Sequence, residues 1–241
     1  MQKNLIDIQS KEDLLKSFID GEKKHSDFKI GTEHEKFAFH LETHKPVSFS
    51  EKNGIEALLL KLKKYGWNSI LEGSNTIGLS RDKSLGGGTI TLEPAGQLEL
   101  SGAPLKNIHE TFYELDEHRT QIAKEASDLG LGFLGAGLTP DWSFDEMPIM
   151  PKKRYQIMKN YMPKKGGLGL DMMFRSTTIQ VNLDYSSETD MAKKFKVSLA
   201  LQPIATALFA NSPFLDGALT GYKSYRSHIW TDTDLSLIHI S

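Results

Sequence analysis

Apolar and polar residues alternate with a period of two in several short stretches of this chain. Thr89 to Leu92 and Gln97 to Leu100 do so on either side of Pro94-Ala95-Gly96, which predicts a hairpin. Ser176 to Asp184 repeats the pattern, with Thr178, Gln180, Asn182 and Asp184 opposed to Ile179, Val181 and Leu183. Phe28 to Leu41 is a fourth strand candidate. Elsewhere the period is helical. Leu105, Ile108, Phe112, Leu115, Ile122, Ala126 and Leu129 fall on one face, predicting a helix of about six turns. Ser10 followed by Asp13 reads as a capping box that opens an amphipathic helix running to about Glu22. Further helices are predicted over Gly54–Tyr65, ended by Gly66, over Gln156–Tyr161, and over Thr189–Ala210 with a bend at Pro203. Strands come singly or as a hairpin between helices of uneven length, without a βαβ rhythm. The expectation is an α+β fold with a largely antiparallel sheet backed by helices.

The polar faces carry the candidate chemistry. In Gly31-Thr32-Glu33-His34-Glu35-Lys36-Phe37-Ala38-Phe39, alternation turns Glu33 and Glu35 to the same side as Phe37 and Phe39. Two carboxylates on a face that continues into aromatic rings are partly desolvated and repel each other. A divalent cation with oxygen ligands answers that need, and so does an edge strand whose glutamates sit in water. The hairpin adds Thr89, Thr91 and Glu93 on one strand and Gln97, Glu99 and Ser101 on the other. These faces hold acids, amides and hydroxyls but no Lys or Arg, which suits Mg²⁺ and phosphate-bearing ligands; a half-solvated sheet is the plainer reading.

Other features weigh less. Gly86-Gly87-Gly88 lacks the Lys and Ser/Thr of a phosphate-binding loop and reads as a turn. Lys152-Lys153-Arg154 and Lys164-Lys165 read as solvated charge. Arg226 lies among Tyr225, His228 and Trp230 and is open to either reading, while His34 and His228 read first as structural. Composition is that of an ordinary globular chain: 241 residues, 39% apolar, 25% charged, net charge −2, with no basic block for nucleic acid and no apolar run able to span a bilayer. No cysteine is present, so disulfides, thiol nucleophiles and cysteine-ligated zinc are excluded. The same absence makes a reducing cytoplasm the expected compartment, and the N-terminal residues mix acids among apolar side chains, which speaks against a signal or transit peptide.

Six blocks carry a resemblance: GTEHEKFAF, TITLEPAGQLELSGAPL, RYQIMKNYMP, MMFRSTTIQVNLDYSSE, ALQPIATALFANSPF and YRSHIWTDTD. In that order, from about Phe28 to Asp234, the chain resembles the plant and proteobacterial type of glutamate–cysteine ligase. The resemblance implies a glutamine-synthetase-like fold, with a curved antiparallel sheet holding Mg²⁺, ATP and glutamate. It implies ATP-dependent phosphorylation of the glutamate γ-carboxylate, followed by attack of the cysteine amine, the first step of glutathione synthesis. Glu33, Glu35, Glu93 and Glu99 match the metal ligands, and Gln180 and Asn182 the strand facing metal and nucleotide. Arg154 and Arg226 match arginines that hold the glutamate carboxylates. Family members are about twice as long, so residues 1–234 are expected to be the N-terminal part of a single catalytic domain, inactive alone. The final LSLIHIS does not fit the family and is expected to be a truncation or foreign tail. A related ligase using another amine, a non-catalytic glutamate- or nucleotide-binding remnant and a purely structural sheet domain stay open as alternatives.

Overall fold

The computed structural model describes residues 8–234; the LSLIHIS tail lies outside them. In chain order the elements are α1 (Lys11–Ile19), β1 (Ile30–His40), α2 (Ile55–Leu62), β2 (Trp67–Glu72), β3 (Asn75–Arg81), β4 (Thr89–Leu92), β5 (Leu98–Ser101), α3 (Ile108–Leu129), β6 (Leu131–Leu134), α4 (Lys153–Tyr161), α5 (Gly169–Arg175), β7 (Ile179–Leu183), α6 (Glu188–Phe209), β8 (Phe214–Leu215), β9 (Ala218–Leu219) and α7 (Tyr225–Ile229). The capping box forms as the sequence predicts. Asp13 N–H donates to Ser10 Oγ at 3.2 Å while Ser10 N–H donates to Asp13 Oδ2 at 2.9 Å. Gly66, at φ +85°, closes the single 3₁₀ turn that follows α2.

The main sheet runs β2-β3-β4-β5-β1-β6, with β7 also on β1, and every pairing is antiparallel. The long strand β1 makes this possible. Its first half pairs with β7 and its second half with β6, along the edge opposite β5. One face of the sheet packs on α2 and α3. Leu79, Ile90, Leu92, Leu98 and Leu100 meet Ile55, Leu58, Leu59, Leu62, Ile122 and Ala126 there, all buried. Burial of these side chains, each contributing roughly 1.5–3 kcal/mol, is what holds the strands of the opposite, polar face in register.

Two helices leave apolar residues exposed. The face of α3 is buried only toward its C-terminal half, while Ile108 and Phe112 stand exposed. Pro203 sits within a continuous α6, and that helix buries none of its residues although its second half, 199–209, is largely apolar. A helix with that pattern is ordinarily enclosed by protein.

Candidate active site: a carboxylate cavity on the polar face

Pairing between strands decides which acids meet. Glu35 lies directly across from Glu99, and Glu99 directly across from Thr91, so one row crosses β1, β5 and β4. Glu33 lies across from Ser101 on one side and Gln180 on the other. Glu93 follows Thr91 by two positions and shares its face. The β4–β5 turn is tight: Gly96 has φ +84°, and a Cβ there would come 3.0 Å from the Met150 methyl. Only glycine fits that turn without strain.

A cavity of about 550 Å³ opens over this face, lined by Glu33, Glu35, Glu72, Ile77, Thr91, Glu93, Glu99, Lys152, Arg154 and Gln180. The four glutamates singled out in the sequence are thus brought together, with Gln180 and Arg154. Arg226 is not in this lining. It borders an adjoining cavity of about 190 Å³ that shares Glu35, Glu93 and Gln180 and is walled by Met158, Met172, Met173 and Trp230. Asn182 stands off the cavity and acts through Glu33: its amide donates to Glu33 Oε1 at 3.0 Å, while Gln180 Nε2 donates to Oε2 at 2.6 Å.

Each remaining acid has its own restraint. Glu99 accepts from Thr91 Oγ1 at 2.8 Å and from Ser101 Oγ at 2.5 Å. Glu35 accepts from the Thr178 N–H at 3.0 Å. Glu93 has Arg154 at 3.6 Å. Hydrogen bonds orient these carboxylates without neutralising them. Burial, and then the charges of Glu93 and Glu99, push the Glu35 carboxyl up to about 7. Burial, with Glu99 adding to it, raises Glu93 as well. Like charges directly opposed across a ladder are destabilising unless something positive lies between them.

The cations on hand are few. Arg154 is mostly exposed, donates to the Tyr155 hydroxyl at 2.8 Å and leans on Glu93. Arg226 is held below its usual pKa by burial, with Glu35 pulling the other way. Its Nε has no hydrogen-bond partner and its guanidinium no ion pair among the described residues. Five carboxylates against three cations, Lys152 being the third, with all the anionic donors hard oxygens, fit Mg²⁺ in chemistry and charge. Among the described residues no group of three or more His, Cys, Asp or Glu stands close enough together to hold a metal ion. The fit therefore lies in the donor set, and Mg²⁺ ordinarily retains several waters.

Sequence reasoning missed two charged members of the lining, along with the apolar Ile77. Lys152 reads as solvated charge within a Lys-Lys-Arg run, yet it is only 7% exposed, so that expectation is corrected. Its position as the residue capping α4, just after Met150-Pro151, is the local signal that turns it inward. Glu72 ends β2 and accepts the Lys153 N–H at 2.7 Å. The Glu-Gly-Ser-Asn turn after it is the one local signal that could have revealed it. His34, as expected, has no place in the cavity, and His228 stacks on Tyr222 at 4.7 Å. Gly86, Gly87 and Gly88 all have positive φ, as a turn between β3 and β4 requires.

The model of glutamate–cysteine ligase family 2 matches residues 29–239. The chain belongs to this family. It is 52% identical over 225 residues to glutamate–cysteine ligase B, chloroplastic, of Oryza sativa subsp. japonica. It is 52% identical to the chloroplastic ligase of Nicotiana tabacum and 51% to that of Arabidopsis thaliana, each over 229 residues. These matches take in 93% of the chain but 44% of the rice protein and 42% of the other two, so the chain spans less than half the length of these family members. The expectation of a cytoplasmic protein is overturned, because these relatives are all named chloroplastic and point to the plastid. Neither the lack of cysteine nor the acids mixed into the N-terminal residues were a guide to compartment. Among the described residues no helix is long and apolar enough to cross a membrane.

Proposed function

We propose that this chain carries the metal- and phosphate-binding face of an ATP- and Mg²⁺-dependent ligase joining the glutamate γ-carboxylate to the cysteine amine, in glutathione synthesis. The single observation that carries this reading is the gathering of Glu33, Glu35, Glu93 and Glu99 from three separate stretches of chain into one cavity. Family membership and the relatives' names support it. A glutamine-synthetase-like architecture, with residues 1–234 as part of one catalytic domain, is the corresponding proposal for the fold, supported by the wholly antiparallel main sheet.

Activating a carboxylate with ATP brings two anions together, and the residues divide that task. Glu33, Glu35, Glu93 and Glu99 would hold Mg²⁺, which when bound neutralises phosphate charge and orients the phosphoryl oxygens. Gln180 and Asn182 fix the two Glu33 oxygens, so that acid cannot swing away. Thr91 and Ser101 do the same for Glu99. Arg226 and Arg154 would take the carboxylates of the amino-acid substrate, the planar fork of each matching a carboxylate's two oxygens. The Met158, Met172, Met173 and Trp230 walls beside Arg226 would cover the methylene chain and exclude water from the reacting acyl group. No side-chain nucleophile is required, because the phosphate becomes the leaving group and the incoming amine displaces it. Plastid location is proposed with the rest, supported by the relatives' names.

A polypeptide of the relatives' length bearing this sequence is expected to make γ-glutamylcysteine, ADP and phosphate from ATP, glutamate and cysteine. This chain by itself is expected to bind Mg²⁺, nucleotide and glutamate without turnover. The exposed, largely apolar second half of α6 supports that expectation, since it lacks the enclosure such a stretch needs. Calorimetry and product chromatography check both statements. Absence of product from the longer polypeptide would contradict the first, and robust turnover by this chain, or its failure to bind glutamate or Mg²⁺-nucleotide, would contradict the second.

A further inference from the structure

Lys152 is the one buried amine in the cavity wall, and its surroundings do not account for it. An ammonium has three hydrogens to donate. One goes to the Leu92 carbonyl at 2.7 Å and a second reaches the Tyr155 hydroxyl at a long 3.4 Å. That leaves at least one hydrogen unspent, and no carboxylate lies within 4 Å of the nitrogen among the described residues. The Leu92 carbonyl does not need the lysine, because the Tyr155 hydroxyl donates to the same oxygen. Burying an amine merely to add a second donor to a satisfied carbonyl is costly.

The placement is also rigid. Lys152 caps the N-terminus of α4, its own N–H donating to the Met150 carbonyl at 2.8 Å, and its nitrogen sits 5.2 Å over the Tyr155 ring. The next N–H, of Lys153, is taken by Glu72 of the cavity lining, so the positive end of α4 is turned to the same space. Arg154, the neighbouring cation, is exposed and already committed to Glu93 and Tyr155. A fixed, desolvated point charge with a spare donor, set across from a wall of carboxylates, is suited to an anion that arrives with its own divalent cation.

We propose that Lys152 is the phosphate-positioning residue of this cavity, its ammonium holding a terminal phosphate oxygen of a nucleoside triphosphate opposite the Glu93–Glu99 wall. The proposal rests on the functional reading above and adds a residue and a ligand group to it.

The test is calorimetry on this chain with three probes: a non-hydrolysable Mg²⁺–ATP analogue, Mg²⁺–tripolyphosphate and adenosine, with Mn²⁺ affinity measured alongside. Lys152→Met should weaken the first two about 10- to 100-fold, the loss of one charged hydrogen bond, and leave adenosine and Mn²⁺ unchanged. Lys152→Arg should keep most of the affinity. Lys152→Gln, which retains a polar stem, should behave as Lys152→Met and decides the matter where the methionine variant fails to fold. Equal binding of the triphosphate probes by wild type and Lys152→Gln overturns the proposal and leaves the metal-site reading standing. Wild-type protein that binds Mn²⁺ but no phosphate probe also overturns it. Absence of any divalent-ion binding in the wild type overturns the functional reading itself, and the proposal with it.

Discussion

Replacing Arg226 with alanine is expected to weaken glutamate binding by about 10- to 100-fold, the cost of one or two charged hydrogen bonds lost from a desolvated site. The guanidinium is buried, its Nε is unpartnered, and no ion pair consumes its charge among the described residues. Its nearest opposing charge is Glu35, which the structure already commits to the carboxylate row. An anion placed between Arg226 and the methionine wall would complete the set. Lysine at position 226 should recover little, because a point charge on a flexible stem cannot pair with both oxygens of a carboxylate. Calorimetry with glutamate reads the effect, with circular dichroism confirming that the variant is folded. Affinity within twofold of wild type would remove Arg226 from the site.

The second large effect concerns pH. The Glu35 carboxyl titrates near 7 in the folded protein against 4.5 in the unfolded chain, because burial and the Glu93 and Glu99 charges disfavour its anion. Between those values the folded state binds more protons than the unfolded one, so stability falls as pH rises from about 4.5 to about 7. The loss is on the order of 2 kcal/mol, shared with the coupled titration of Glu93. In EDTA the wild-type melting temperature is therefore expected to drop by about 4–8 °C relative to Glu35→Gln between pH 5 and pH 8. Saturating Mg²⁺ should abolish most of that difference by supplying the missing positive charge to the wild type. Parallel melting curves across the pH range would show that Glu35 ionises freely and that the row is not under repulsion.

Much of this site was legible because a strand imposes its own arithmetic. Once Glu33 and Glu35 are on a strand, they share a face, and the same holds for Thr91 with Glu93 and for Gln180 with Asn182. What the sequence did not supply was pairing. Nothing in the spacing says that Glu35 opposes Glu99, or that Gln180 rather than Asn182 reaches the cavity; those follow from the registers of β1 with β5 and β7. The β2–β3 hairpin escaped notice for a local reason. Its register shifts between Ile70 and Leu71, which interrupts the alternation that marks a strand, and Glu72 was lost with it. The two-turn helix α5 and the still shorter α7 are too brief to display a helical period, so the wall around Arg226 had no signature. Lys152 was misjudged because a run of basic residues looks solvated until a helix start turns one of them inward.

The central claim is that the carboxylate row holds a divalent cation beside an incoming phosphate. Its most direct test is a titration of the chain with Mn²⁺, as a paramagnetic stand-in for Mg²⁺, followed by electron paramagnetic resonance with and without the ATP analogue. Wild-type protein should bind Mn²⁺ and bind it more tightly with the analogue present, while Glu93→Gln/Glu99→Gln loses both. Equal Mn²⁺ binding by the wild type and the double variant would contradict the account.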